Sequence, residues 1–105
     1  MELIKQIKNS QFNNTGVCLM TDGDVKEVSA DKLVDGRMCF DIKKVKEALN
    51  IDLFEIVDVP STEFILICDE EGLCKNDWIQ NIFASILAQR TIVGNVMVCH
   101  TSMIN

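Results

Sequence analysis

The sequence predicts an α+β domain: a mainly antiparallel sheet of four to five strands with two helices packed on it. Three observations carry this. An unbroken apolar run at residues 64–68 (FILIC) reads as a strand buried on both faces. Residues 41–50 and 77–89 each repeat apolar positions at helical spacing. Short turn signals, Asp22-Gly23 and Ser61-Thr62-Glu63 after Pro60, leave room only for antiparallel returns. At 105 residues, the chain fits a single domain (1–105) with one core.

Taken in order, residues 1–13 place Leu3, Ile4 and Ile7 at helical spacing, with Lys5 and Lys8 opposite. They read as an N-terminal arm or a short helix. After an Asn-Asn-Thr-Gly loop, a strand runs from Val17 to Met20. Gly23 accepts a positive φ without steric cost, so Asp22-Gly23 turns the chain back into a strand at 26–29. Residues 30–36 read as a connector with at most one helical turn. Asp41 is placed to accept a first-turn amide of a helix over 42–50. Ile42, Val45 and Leu49 form its apolar stripe, and Lys43, Lys44, Lys46 and Glu47 face out.

Residues 54–59 form the next strand, which Pro60 ends because it has no amide to donate. The central strand at 64–68 runs into an Asp69-Glu70-Glu71-Gly72 turn, read as a hairpin from which Leu73 and Cys74 start back. Asp77 is the expected cap of the second helix. Trp78, Ile79, Ile82, Phe83, Ile86 and Leu87 make a wide apolar stripe expected to lie against the sheet, so Phe83→Ala should cost about 3–5 kcal/mol. Residues 96–99 are the last strand.

Sixteen acidic residues against ten basic ones give a formal net charge of −6. That balance disfavours a surface that neutralises nucleic-acid phosphates, which needs clustered Lys and Arg, or one that sits on an anionic membrane. It suits a basic protein partner. Five cysteines without a Cys-x-x-Cys pair point to free thiols in a reducing cytoplasm. No stretch approaches the roughly 18 apolar residues of a membrane span. Residues 1–5 lead into polar sequence rather than an apolar run, so a cytoplasmic location is expected.

The candidate binding residues are Asp69, Glu70, Glu71, Asp77 and Trp78. Clustered carboxylates suit a divalent cation or acid/base work, but the calcium-loop spacing is absent, and ordinary turn chemistry accounts for them better. Trp78 is a candidate anchor, since Trp is enriched at binding hot spots. Cys68, Cys74, Cys99 and His100 lack paired zinc spacings, and adjacent strand positions send Cys99 and His100 to opposite faces. No nucleophile motif surrounds a Cys–His100 pair, and no phosphate-loop, dinucleotide, serine-elbow or metalloprotease motif occurs. Neither a metal nor a cofactor is expected.

The segments 54–60 (FEIVDVP), 65–72 (ILICDEEG), 86–88 (ILA) and 92–94 (IVG) resemble a small domain-of-unknown-function family carried by phages, plasmids and conjugative elements. The resemblance covers roughly the last half of the chain. Where that family carries an Asn-Arg loop after its acidic turn, this chain has Lys75-Asn76-Asp77-Trp78 without the Arg. The resemblance implies a mobile-element setting, not a chemistry; together with the missing catalytic motifs and the acidic balance it leads us to expect a non-enzymatic protein that binds a host protein, such as a CRISPR nuclease or another defence effector. The alternative is a small-ligand binder that sequesters a nucleotide signal as an oligomer with pockets at subunit interfaces, with Lys43, Lys44, Lys46 or Arg90 meeting the phosphates.

Overall fold

The computed structural model describes residues 14–104. The arm or helix expected over 1–13 lies outside the described residues. Strands β1 (Thr15–Leu19), β2 (Val25–Ser29), β5 (Phe54–Asp58), β6 (Phe64–Asp69) and β7 (Val96–His100) form one five-stranded sheet in the order β2-β1-β7-β6-β5. Every pairing in it is antiparallel. Helices α1 (Ile42–Leu49) and α2 (Ile82–Ala88) complete an α+β fold.

The period of two along each strand divides the core in half. Val17, Leu19, Leu66, Cys68, Val96 and Val98 face α2 and its Ala84 and Ala88. Cys18, Ile65, Ile67, Met97 and Cys99 face α1, where Val45 and Leu49 are fully buried. The central strand predicted at 64–68 is buried on both faces. β7 is buried along its whole length as well. In β1, Gly16 is a packing requirement, because a Cβ there would lie 2.5 Å from Met97 Sδ and 2.9 Å from Phe40 Cζ.

Several sequence expectations hold in detail. The Asp22-Gly23 hairpin forms, with Gly23 at φ 90°. Asp41 caps α1 by accepting from the Lys43 amide at 3.1 Å. Others need correction. The supposed connector at 30–36 contains a second small hairpin, β3 (Lys32–Val34) with β4 (Arg37–Cys39). Asp35 and Gly36 turn it with φ of 49° and 79°, the two positive values a tight two-residue hairpin needs. The acidic turn is not a hairpin: Gly72–Cys74 form a 3-10 turn, and no return strand follows directly.

The largest correction concerns α2. It starts at Ile82 with Asn81 as its cap, not at Asp77. Residues 79–81 are committed elsewhere. Gly94 N donates to Ile79 O (2.9 Å), Asn81 N donates to Ile92 O (2.8 Å), and Gln80 bridges Val93. That extended pairing outcompetes another helical turn. The helix then lays its small residues, Ala84 and Ala88, on the sheet, so its backbone sits close, and Ile82, Phe83 and Ile86 point outward.

Phe83 is 52% exposed, so the cavity cost predicted for its truncation does not apply. We expect Phe83→Ala to change stability by less than about 1 kcal/mol, whereas Leu49→Ala should cost about 2–5 kcal/mol. Urea unfolding of the two variants checks this, and a large loss for Phe83→Ala would contradict the orientation of α2.

Candidate functional site

Six large apolar side chains are exposed along residues 73–86. Leu73, Trp78, Ile79, Ile82, Phe83 and Ile86 are each between 48% and 65% exposed. Ile82, Phe83 and Ile86 share the outer side of α2 by their i, i+1, i+4 spacing. Trp78 and Ile79 lie in the exposed segment that enters the helix, and Leu73 lies in the 3-10 turn before it. Concentrated exposed apolar residues on a domain whose own core is filled mark an interaction surface.

Two hollows open beside these residues. One, of about 210 Å³, lies between the β1–β2 turn and the start of α2 and is lined by Met20, Thr21, Gly23, Gln80, Ile82 and Phe83 among others. The second, of about 170 Å³, is lined by Asp69, Lys75, Asp77, Trp78, Ile79 and Asn95 among others, and Thr21 borders both. Small-molecule sites usually enclose about 300–1,000 Å³. A space near 150 Å³ holds one benzene-sized group. Each hollow therefore suits a single side chain better than a nucleotide.

The structure brings together part of the predicted set. Asp69, Asp77 and Trp78 border the 170 Å³ hollow. Asp69 is nearly buried and serves its own turn: Oδ1 accepts from Glu71 N at 3.0 Å and Oδ2 from Lys75 Nζ at 2.6 Å. That hydrogen bond pushes the Lys75 pKa up. Glu70 borders a different, smaller hollow with Glu55, Leu73 and Arg90. Glu71 is exposed. Among the described residues, no three of His, Cys, Asp or Glu converge as metal ligands would.

The proposed phosphate contacts are not brought together. Lys43, Lys44 and Lys46 sit on α1, on one side of the sheet, and Arg90 follows α2 on the other. Lys44 is paired with Asp31, and Arg90 Nη2 lies 3.4 Å from Glu55 Oε1. None of the three lysines borders the hollows described above.

His100 makes no pair with a cysteine. Its Nε2 meets Glu63 Oε2 at 3.1 Å, and its Nδ1 meets Ser102 Oγ at 2.8 Å and accepts from Ser102 N at 3.2 Å. The backbone amide fixes Nδ1 as an acceptor, so Nε2 carries the proton donated to Glu63. This ring caps the 3-10 turn Thr101–Met103 and ties it to the β5–β6 turn. Burial pushes the Cys68 and Cys99 thiols up to about 12 and Cys18 to about 11.

Sequence reasoning missed Asn81, whose buried amide positions the start of α2. Comparison with family models, curated proteins and solved structures returned no match. Among the described residues, no helix is long and apolar enough to cross a membrane.

Proposed function

We propose that this chain is a non-enzymatic protein-binding domain whose binding face is the outer side of α2 together with Trp78 and Ile79. The observation that supports it is the outward orientation of Ile82, Phe83 and Ile86 on a helix whose inner side is satisfied by two alanines. Each is a little over half exposed, so it forgoes somewhat more than half of the roughly 1.5–3 kcal/mol that full burial brings, a loss that burial against a partner recovers. In the mobile-element setting implied by the resemblance, that partner is a host protein, such as a defence nuclease that the domain inhibits in the host cytoplasm.

Native mass spectrometry on the wild type and on an Ile82→Asp/Phe83→Asp variant, both purified gently from native-type cells, tests the reading. The expected result is a host protein bound to the wild type and absent from the variant, with the circular dichroism of the two unchanged. Turnover of a substrate by the isolated chain would overturn it. So would a partner held equally by both proteins.

The nucleotide-sequestering alternative draws no support from a specific feature, since its cations are spread over both sides of the sheet.

A further inference from the structure

The charges around the apolar face define what it takes. Asp22 and Asp24 stand on the turn that borders the 210 Å³ hollow, and Asp77 borders the other. Glu70 and Glu71 flank Leu73. The nearby cations are already engaged: Lys75 with Asp69, Arg90 with Glu55, and Lys26 with Asp24 at 4.0 Å. Asp22, Asp77, Glu70 and Glu71 pair with no cation among the described residues. The face is thus an apolar strip bordered by Asp22 and Asp77, carboxylates with no ion-pair partner among the described residues, with two hollows that each take one side chain.

Resting on the protein-binding reading above, we infer that the partner element is a basic amphipathic segment that sets one bulky apolar side chain in the hollow beside Phe83, with flanking Lys or Arg residues meeting Asp22 and Asp77. Apolar anchors supply the residence time. Charge complementarity selects the partner and speeds its encounter. An acidic segment would place like charges together and be rejected.

The test uses the full chain and three fluorescein-labelled peptides of about fifteen residues: a Leu/Lys amphipathic helix bearing one Phe, its Leu/Glu counterpart, and a scrambled Leu/Lys sequence. Anisotropy is read at 50 and 200 mM NaCl. The expected result is binding of the amphipathic Leu/Lys peptide alone, weakened at least tenfold by the added salt and abolished by Phe83→Ser. Asp22→Asn/Asp77→Asn should weaken it and flatten its salt dependence. Equal binding of the Leu/Glu or scrambled peptide, or no effect of Phe83→Ser, overturns the inference. So does failure of the full chain to bind, or a dimer that Phe83→Ser converts to monomer, since the face is then filled from within or by a second copy. A natural complex, once isolated as described above, that ignores salt overturns this inference while leaving the protein-binding reading intact. Absence of any such complex removes that reading itself.

Discussion

Replacing Asn81 by Ala is expected to destabilise the protein by about 3–5 kcal/mol, much of what holds a domain of this size folded. The side chain makes three bonds from one buried position. Oδ1 accepts from Ala84 N at 3.1 Å and caps α2. Nδ2 donates to Leu19 O at 2.9 Å and to Gly94 O at 3.0 Å, joining the end of β1 to the loop before β7. Losing a cap costs about 0.5–2 kcal/mol, leaving the buried Leu19 carbonyl without its donor costs about 1–3 kcal/mol, and the part-buried Gly94 carbonyl adds a smaller amount. Asn81→Asp separates the two roles. Its carboxylate still caps Ala84 but cannot donate, and it faces two carbonyl oxygens. We expect it to be at least as damaging as Ala in urea unfolding. Wild-type stability for Asn81→Asp would show that the cap alone matters.

The second large effect is alkaline. Burial raises Cys18 to about 11, and Cys68 and Cys99 to about 12, from an ordinary value of 9.0. Below pH 9, the folded and unfolded chains both keep these protons, and stability is complete. Above pH 9, the unfolded chain ionises while the folded one does not, so stability falls as pH rises until the folded thiols titrate at about 11–12. One such thiol costs roughly 1.4 kcal/mol per pH unit. Three of them remove on the order of 4 kcal/mol by pH 10. Urea midpoints at pH 7.5, 9 and 10 should drop accordingly, and Cys99→Ala should flatten the slope by about one third. The same burial makes a simpler check. Of the five thiols only Cys74 is exposed, so a disulfide reagent at pH 8 should titrate one thiol rapidly in the folded protein and all five in denaturant. Rapid reaction of three or more would refute the packing of both halves of the core.

Much of the fold was legible because strong local signals agreed with tertiary demand. The FILIC run, the Asp22-Gly23 turn and the Asp41 cap each have one low-energy reading, and each is realised. The β3–β4 hairpin carried its signal too, an Asp35-Gly36 pair between Leu33-Val34 and Met38-Cys39, but its strands are three residues long and below what periodicity resolves. α2 misled for a different reason. Residues 78–87 have a genuine helical stripe, and the stripe says which residues share a side, not which side is buried. The pairing of residues 79–81 with 92–94 is non-local and shortens the helix. The two alanines are what lets it approach the sheet. Of the candidate site less was legible: Trp78, expected in the stripe against the sheet, is instead 48% exposed, and the acidic cluster divides between two hollows and a turn.

The position of β7 has a consequence for synthesis of the chain. In sequence it follows the other four strands of the sheet, yet it lies in the middle of them, bonded to β1 on one side and β6 on the other. A nascent chain that has reached residue 90 holds the other four strands of this sheet as two separate hairpins, β1–β2 and β5–β6, each with an inner edge whose amides and carbonyls await the same absent neighbour. Neither hairpin is stable alone, and open edges of this kind recruit strands from other molecules. Translation of Val96–His100 therefore acts as the closing step for the whole sheet. Until it occurs, the growing polypeptide depends on chaperones or on speed to stay out of aggregates.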